Sequence, residues 1–289
     1  MTNEQAGGRV AVVTGASRGA GKGIALALGE TGATVYVTGR TAQEGDAALP
    51  GTVFATAEEI DRRGGTGIPV VCDHRDDAQV EALFGRVRAE RGRLDVLVNN
   101  AFVVPDQLAN PGPFWSKPLA LQEMFDVGLR SSYVSGYFGA PLLAGTGGGL
   151  LVNTSSFGGT CYMHGPAYGS VKAGADKMAH DMAVDLEPFD VAAVSIWMGL
   201  LRTERTEAAL NADPERYGEL TAMAESPEFT GRVIAALAAH PDRMRYSGKV
   251  LVGAELGAEL GVVDVDGKAP ASHRQFLGSP VEFSEAVVE

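Results

Sequence analysis

The chain has 289 residues, of which 45% are hydrophobic and 38 are glycine, and its formal net charge is −12. This composition is typical of a globular α/β protein. The acidic charge disfavours nucleic acid and anionic membranes as partners, because both reward a basic surface, and no apolar run reaches the roughly 18 residues of a membrane span.

The N-terminal residues 1–5 are polar and lack the basic and apolar regions of a signal peptide, so a cytoplasmic protein is predicted. The two cysteines, Cys72 and Cys161, are far apart and form no Cys-x-x-Cys pair, which disfavours a disulfide framework and a thiolate metal site. The five histidines lack the i, i+4 spacing of a zinc helix. We predict no catalytic metal.

A β-branched run over residues 9–14 predicts the first strand, and a turn containing Gly15, Gly19 and Gly21 follows it. Residues 24–28 then have a helix-forming composition. Strand, glycine turn and helix together form the first unit of a dinucleotide-binding fold. The glycines let the backbone approach a pyrophosphate, and the helix N-terminus supplies N–H donors to it.

The second strand, over residues 34–38, ends at Gly39 and Arg40. Folds that choose NAD place an acidic residue near this strand end, whereas a basic residue accommodates the 2′-phosphate of NADP. Here Gly39 stands where the acid is expected, Arg40 follows, and Arg18 lies in the glycine turn. Two guanidinium groups without a nearby carboxylate favour NADP(H) over NAD(H). The alternative is that Arg40 only caps a strand at the surface.

The remaining pattern predicts helices over residues 55–63, 80–88, 119–143, 168–186 and 233–239, and strands over residues 68–73, 94–98, 149–154, 191–197 and 249–252. The long helix over 119–143 is expected to be broken or flexed around its glycines. Strands separated by helices of this length pair in parallel with right-handed crossovers. We therefore predict a single doubly wound Rossmann-type α/β domain with a mostly parallel seven-stranded sheet and helices on both faces. Its core spans about residues 8–253, with a C-terminal tail over 254–289, and the polar segment 203–225 is expected to be a mobile flap over the substrate.

Tyr168 and Lys172 are four residues apart, so they share a face of the predicted helix. A lysine ammonium held near a tyrosine lowers the tyrosine pKa from about 10 and makes the phenol a usable proton donor. Ser155 and Ser156 end the preceding strand, where a hydroxyl could hold a carbonyl oxygen. With a hydride donor, this set predicts an oxidoreductase. Taken alone, the same spacing equally fits a half-buried ring and a solvated ammonium.

Residues 102–118 form an irregular stretch with four prolines and several aromatic residues. The stretch either carries substrate contacts, as loops at strand ends do, or packs as an ordinary surface loop. Apolar and aromatic residues there and near the catalytic helix predict a hydrophobic substrate. These candidates are Phe102, Trp115, Tyr162, Met163, His164, Trp197 and Met198, with a plain core role as the alternative, above all for Trp197.

Five features in this order together resemble the short-chain dehydrogenase/reductase superfamily. They are the glycine turn, Asp73, the Asn-Asn-Ala motif at residues 99–101, the serine pair and the Tyr168-x-x-x-Lys172 motif. The resemblance covers about residues 8–253. Within the superfamily, the chain is similar to the branch of dehydrogenase/reductase member 1. The similarity lies in the segments around the glycine turn, Arg40, the Asn-Asn-Ala motif and residues 126–130.

The resemblance implies that Tyr168 is the general acid or base and that Lys172 lowers its pKa and binds the nicotinamide ribose. It places Gly15, Ser17, Gly19 and Gly21 at the cofactor phosphates, Asp73 at the adenine, Asn99 on the cofactor side of the cleft and Thr203 at the carboxamide. It also implies a homodimer or homotetramer that forms through the helices after strands four and five.

Three positions depart from the family pattern. Gly128 stands where the family has an asparagine that helps relay protons. The proton relay must then use water or another group, or be impaired. Phe102 replaces the glycine that usually follows Asn-Asn-Ala. Met198 replaces a proline before Gly199, so the turn loses a fixed φ.

The choice between the two serines stays open. Ser155 lies 13 residues before Tyr168, the commoner family spacing, and Ser156 lies 12 residues before it. Alignment of the strand ends favours Ser156, which we prefer as the catalytic serine. Successive strand side chains face opposite ways, so only one of the two faces the site.

The leading hypothesis is an NADP(H)-dependent reductase of an apolar carbonyl compound, with hydride from the nicotinamide and the proton from Tyr168, or an enzyme that catalyses the reverse oxidation of the alcohol. An alternative is a cofactor-binding sensor or scaffold with lost or weak turnover, which Gly128 and Met198 motivate. A third hypothesis, a dehydratase or epimerase with the same tyrosine and lysine, fits less well because such relatives tend to be longer and to space their glycines differently.

Overall fold

A computed structural model describes residues 8–212 and 223–288 of the chain. Its sheet has seven parallel strands in the order β3-β2-β1-β4-β5-β6-β7. The strands are β1 (Val10–Val13), β2 (Thr34–Gly39), β3 (Thr66–Val71), β4 (Val96–Asn99), β5 (Gly149–Ser155), β6 (Val191–Trp197) and β7 (Val250–Val252). The strand order reverses between β1 and β4, which is where open α/β sheets place their ligand crevice.

Helices cover both faces of this sheet. They are α1 (Gly19–Gly29), α2 (Val53–Arg62), α3 (Asp77–Arg91), α4 (Ser131–Thr146), α5 (Pro166–Leu186), α6 (Glu204–Ala212), α7 (Pro227–Ala239), α8 (Gly253–Glu259) and α9 (Arg274–Leu277). The expected fold class, a doubly wound Rossmann-type sheet, is confirmed.

The alternation of side chains along β1 shows why both faces are covered. Ala11 and Val13 pack into one apolar cluster with residues of α1 and α7, whereas Val10 and Val12 pack into a second cluster with residues of α3 and α4. Successive side chains of a strand point to opposite faces, so a strand that is apolar at every position needs a helical layer on each side. Every β1 residue is accordingly buried.

The segment predicted as a long helix over residues 119–143, broken or flexed around its glycines, is divided in the structure. A 3₁₀ turn spans Leu119–Gln122, a π-helical turn spans Phe125–Arg130, and regular α4 begins only at Ser131. Val127 leaves helical geometry, with φ −105° and ψ 21°. A π-turn interrupts the regular hydrogen-bond ladder and kinks the helix axis, and this one contains Gly128.

The other element boundaries differ from the expected ones by a few residues. β3 ends at Val71, so Asp73 lies beyond the strand end and not on it. The expected flap over residues 203–225 contains α6, while residues 213–222 lie outside the described residues. Leu256 of α8 is 3% exposed and belongs to the core, past the expected core boundary at 253. The assignment of one domain stays a prediction.

Within residues 8–212 and 223–288, no helix is long and apolar enough to cross a membrane.

Candidate active site

The glycine turn after β1 lies against the end of β4. Gly15 and Gly19 have φ of +66° and +58°, which side-chain-bearing residues rarely adopt. A Cβ at Gly21 would lie 2.2 Å from the Gly15 carbonyl oxygen and 2.4 Å from Asn100 Nδ2. The turn therefore needs glycine for conformation and for space. Because α1 begins directly after it, the backbone here has the form that accepts a dinucleotide pyrophosphate.

Ser17 and Arg18 lie between these glycines. Ser17 is 7% exposed and faces Gly39 at the end of β2. The Arg18 guanidinium donates from Nε to the Pro50 carbonyl at 2.9 Å and from Nη2 to the Gly51 carbonyl at 2.8 Å. These bonds hold the loop after β2 against the glycine turn.

Arg40 extends from the end of β2 with 56% of its side chain exposed. Its Nη1 lies 4.0 Å from Asp73 Oδ2, so the expectation that no carboxylate lies near this guanidinium is wrong. The parallel pairing of β2 with β3 causes this, because it brings the two strand ends to the same edge of the sheet. Asp73 Oδ1 also accepts from the Arg75 backbone N–H at 3.0 Å.

The two asparagines at the end of β4, Asn99 and Asn100, face different partners. Asn99 is 2% exposed, and its Nδ2 donates to the Ser132 carbonyl at 3.2 Å and to Asn153 Oδ1 at 2.9 Å. Its amide thus points into the protein toward α4 and β5, which differs from the expected position on the cofactor side of the cleft. Asn100, which the sequence did not single out by role, donates to the Thr14 carbonyl at 2.9 Å and so fixes the glycine turn.

The N-terminus of α6 faces the glycine turn from the other side of the crevice. Thr203 accepts from the Thr206 backbone N–H at 3.2 Å, and its methyl group would lie 3.6 Å from a Cβ on Gly19. Glu204 Oε2 accepts from the Gly19 backbone N–H at 3.0 Å. No sequence motif marks Glu204, because its partner is 185 residues away in the chain.

Ser156 and Tyr168 meet at the carboxyl edge of the sheet. Ser156 Oγ and Tyr168 Oη are 2.9 Å apart, a hydrogen bond in which either hydroxyl can donate. Ser156 also accepts from the Gly158 backbone N–H at 3.3 Å, which orients its side chain at the start of a 3₁₀ turn. Burial raises the pKa of the Tyr168 phenol, and the Ser156 hydrogen bond opposes that rise. The phenol is therefore protonated at neutral pH in the free protein.

Lys172 lies one turn after Tyr168 on α5 and is 6% exposed. Its Nζ donates to the Thr154 carbonyl at 3.3 Å and lies 5.7 Å from the centre of the Tyr168 ring. Burial lowers the pKa of Lys172 to about 8, although the Asp176 carboxylate opposes this shift. The lowering of the Tyr168 pKa that the sequence suggested is not seen in the free protein, because burial of the phenol outweighs other influences.

Ser155 faces away from Tyr168. It is fully buried, and its Oγ donates to the Lys172 carbonyl oxygen at 3.2 Å. The alternation of side chains at the end of β5 sends Ser155 toward the backbone of α5 and Ser156 into the cleft.

Asp176 is a buried carboxylate that the sequence reasoning missed. It is 4% exposed, and it accepts from Ser195 Oγ at 2.5 Å and from Trp197 Nε1 at 2.9 Å. These bonds tie α5, which carries Tyr168 and Lys172, to β6. Its position one turn after Lys172 is a signal that the sequence did contain, since residues four apart share a helix face.

The aromatic candidates divide into three groups. Trp197 is fully buried in the core, and Trp115 and Tyr162 are 75% and 81% exposed. Phe102 and His164 approach the Tyr168 ring edge-to-face, at centroid distances of 5.9 Å and 5.1 Å. These two rings therefore line the cleft beside the phenol.

The turn after β6, which lacks the family's proline, is held by a side chain. Glu225 is 3% exposed, and its Oε1 accepts from the Gly199 backbone N–H at 3.2 Å. Burial raises the pKa of Glu225 to about 7. The Met198 backbone N–H donates to the Ser155 carbonyl at 3.2 Å, so the turn is anchored at both residues.

A doubly wound sheet whose polar side chains gather at the carboxyl edge around β1, β4 and β5 is the arrangement of a Rossmann-type protein. The family model described as short chain dehydrogenase matches residues 9–214 of the chain. The chain thus belongs to the short-chain dehydrogenase/reductase family.

Individual relatives agree with this family. The chain is 40% identical over 272 residues to Dehydrogenase/reductase SDR family member 1 of Mus musculus, covering 90% of this chain and 84% of that protein, and the chain belongs to that branch. Its fold resembles that of a putative dehydrogenase from Xanthomonas campestris, with a TM-score of 0.75, 23% identity and coverage of 97% and 98% of the two chains. A putative short-chain dehydrogenase/reductase from Burkholderia xenovorans gives a TM-score of 0.72 at 26% identity, with coverage of 85% and 95%.

Proposed function

We propose that this chain is an NADP(H)-dependent oxidoreductase that reduces the carbonyl group of an apolar ketone or aldehyde, or oxidises the corresponding alcohol. The observation that carries the proposal is the 2.9 Å hydrogen bond between Ser156 Oγ and Tyr168 Oη, one helical turn from the buried Lys172 ammonium. Family membership supports an oxidoreductase, and the geometry supports a role for each of these three side chains.

Two hydroxyl groups that share one hydrogen bond can both turn toward a carbonyl oxygen placed between them. Tyr168 donates its proton to that oxygen as negative charge develops, and Ser156 holds the oxygen by a second hydrogen bond. Donors of this kind are worth roughly 3 to 4 kcal/mol each in the transition state. The nicotinamide cofactor, when bound, supplies the hydride. Lys172 places a positive charge close to the phenol, which favours the phenolate that remains after proton transfer.

The residues around the glycine turn fit a bound dinucleotide. Gly15, Gly19 and Gly21 provide the close backbone approach, and Ser17 lies beside them. Thr203 faces the same turn and would hold the carboxamide end. Asp73 and the exposed Arg40 lie at the edge of the sheet where the adenosine half would bind, and Arg40 is the side chain available to a 2′-phosphate. Arg18 contributes by fixing the neighbouring loop.

The proposal is tested by oxidation of NADPH, followed by absorbance, with a panel of aliphatic, aromatic and cyclic aldehydes and ketones, and with NADH as the comparison. We expect turnover with apolar carbonyl compounds and a lower Kd for NADPH than for NADH. Tight binding of NADPH without turnover across the panel would favour the alternative, a sensor or scaffold. Tighter binding of NADH would contradict the cofactor assignment alone.

Replacing each serine by alanine separates their roles. Ser156→Ala is expected to lower kcat by roughly 10²- to 10³-fold, because it removes a donor to the carbonyl oxygen. Ser155→Ala is expected to change kcat less than tenfold and to lower the thermal midpoint slightly, since it removes one buried hydrogen bond to the Lys172 carbonyl. Steady-state kinetics and thermal melts of both variants check this. The reverse pattern would assign catalysis to Ser155.

The Glu204 carboxylate occupies the N–H group of Gly19 that a pyrophosphate would use. Glu204→Gln is therefore expected to tighten NADP⁺ binding by roughly three- to tenfold, because it removes an anion beside the anionic phosphates. Glu207→Gln, one turn further along α6 and exposed, is the matched control and should leave the Kd unchanged. Titration calorimetry measures both. Weaker binding in Glu204→Gln would show that the carboxylate helps to hold the cofactor.

An apolar groove between α4 and α5 supports the proposed homodimer or homotetramer. Tyr133 and Tyr137 of α4 line it with 56% and 65% exposure, and Met182 and Phe189 line its other side. Exposed aromatic residues of this kind mark surfaces that another chain covers. We propose a second copy of the chain as the occupant, in agreement with the oligomers that the family resemblance implies.

Tyr137→Glu is expected to convert the oligomer to a monomer, because it places a charge at the centre of the apolar groove. Phe54→Glu on α2, at a residue that is 46% exposed, is the control and should keep the wild-type mass. Sedimentation equilibrium gives the mass of each protein. A wild-type mass equal to that of one chain would contradict the proposal.

A further inference from the structure

The Phe102 ring lies between the two catalytic candidates of α5. The Lys172 Nζ is above the face of this ring, 4.6 Å from its centre. The Tyr168 ring meets the Phe102 ring edge-to-face, with an interplanar angle of 90° and a centroid distance of 5.9 Å. One side chain from the loop after β4 thus contacts both residues of the Tyr-Lys pair.

Gly128 leaves the room that this ring needs. A Cβ at position 128 would lie 2.8 Å from Phe102 Cδ2, 2.9 Å from Phe102 Cε2 and 2.9 Å from Val171 Cγ1. Such distances are shorter than carbon atoms in folded proteins adopt, so any side chain at 128 must displace the ring or Val171. The φ of Gly128 lies outside the left-handed region, so space and not backbone conformation requires glycine there.

The Lys172 ammonium has few other partners. It donates to the Thr154 carbonyl of β5 at 3.3 Å, and the titratable groups that face it, Tyr168 and Asp176, are on its own helix. From the loop after β4, the Phe102 ring covers it. The face of an aromatic ring attracts a cation, and the attraction is strongest where water is excluded. Lys172 is 6% exposed, so this condition is met.

We propose that Phe102 is a positioning residue whose ring face stabilises the charged form of Lys172 beside Tyr168, and that Gly128 is required because it leaves space for that ring. The catalytic consequence rests on the proposed function, whereas the effect on Lys172 is a property of the free protein. Removing the attraction makes the ammonium easier to deprotonate. The positive charge that favours the Tyr168 phenolate is then lost at lower pH.

Fluorinated phenylalanines test the attraction without changing the shape of the ring. One, two or three fluorine atoms, introduced at position 102 by nonsense suppression, progressively weaken the negative face of the ring. The readout is the titration of the Lys172 Cε resonance in protein labelled with ¹³C-lysine and free of cofactor, assigned by its loss in Lys172→Arg. We expect the midpoint to fall stepwise, by roughly half a pH unit in the trifluoro protein.

Gly128→Ala tests the requirement for space. It is expected to lower the Lys172 midpoint in the wild-type protein, because the added methyl group displaces the ring. In the trifluoro protein the same substitution should shift the Lys172 midpoint less. Fluorination has already weakened the attraction between ring and ammonium, so displacing the ring removes little more. A midpoint that is insensitive to fluorination would overturn the role of Phe102. Equal shifts from Gly128→Ala in both backgrounds would overturn the coupling of the two positions.

The effect of fluorination on turnover is measured separately from the titration of Lys172. In the trifluoro protein we expect the alkaline limb of the kcat/KM profile to move in the same direction as the Lys172 midpoint, with the Kd for NADPH unchanged. If the wild-type protein reduces no carbonyl compound, the proposed function fails while the titration still decides the role of Phe102. If the protein turns over carbonyl compounds and the Lys172 midpoint does not shift on fluorination of Phe102, only the positioning role of Phe102 fails.

Discussion

Tyr168→Phe is expected to lower kcat for carbonyl reduction by roughly 10²- to 10⁴-fold, the range that a positioned general acid contributes. The substitution removes the hydroxyl that lies 2.9 Å from Ser156 Oγ and keeps the ring that packs against Phe102 and His164. The thermal midpoint and the Kd for NADPH should therefore stay close to the wild-type values. Steady-state kinetics, a thermal melt and a cofactor titration of the same preparation measure the three quantities.

A matched control for this variant is Tyr162→Phe. Tyr162 lies in the loop that precedes α5, and it is 81% exposed, so loss of its hydroxyl should leave kcat unchanged. Retention of more than a tenth of the wild-type kcat in Tyr168→Phe would show that another group delivers the proton. A large loss in Tyr162→Phe would instead indicate that the outer loop takes part in turnover.

Asp176→Ala is expected to lower the free energy of unfolding by about 3 to 5 kcal/mol, the usual effect of removing one member of a buried charged network. The substitution leaves the buried Trp197 indole N–H without its acceptor, and it removes the nearer of two acceptors of the buried Ser195 hydroxyl, the other being the Asn153 carbonyl at 3.5 Å. Each unsatisfied buried donor costs about 1 to 3 kcal/mol. Urea denaturation followed by circular dichroism measures the change, with all proteins at one concentration because oligomers gain stability by mass action.

Asp181→Ala is the control on the same helix. Asp181 is exposed and pairs with Lys177 at the surface, so its loss should change the free energy of unfolding by no more than about 1 kcal/mol. A similar, small change in Asp176→Ala would mean that the protein relaxes around the missing carboxylate. That result would remove Asp176 from the residues that hold the catalytic helix against β6.

Much of the fold could be predicted because its signals are local. The β-branched run of β1, the glycines after it and the apolar strands β5 and β6 each show their structure in a few consecutive residues. The predicted bounds of β6 equal those of the structure. In the segment before α4, the sequence predicted a break around the glycines but not its form, a π-turn at Phe125–Arg130.

The position of side chains at the site depended on tertiary structure in several cases. Spacing along the chain left the choice between Ser155 and Ser156 as the catalytic serine open. The orientation of the side chains at the end of β5 brings Ser156, and not Ser155, to Tyr168. The family resemblance also placed Asn99 on the cofactor side of the cleft, but the fold turns its amide toward α4. The carboxylate of Asp73 near Arg40 follows from the pairing of β2 with β3, which no local motif encodes.

The sequence by itself determined the class of the fold and indicated several residues of the candidate site, because strand composition, glycine turns and the Tyr168–Lys172 spacing act over one element at a time. Only the tertiary structure decided which residues meet. Glu204 reaches Gly19 across the crevice, and Phe102 fills the space that Gly128 leaves beside Lys172. Such contacts join residues distant in the chain, and their energies arise from packing and exclusion of water, which exist only once the sheet and its helices have assembled.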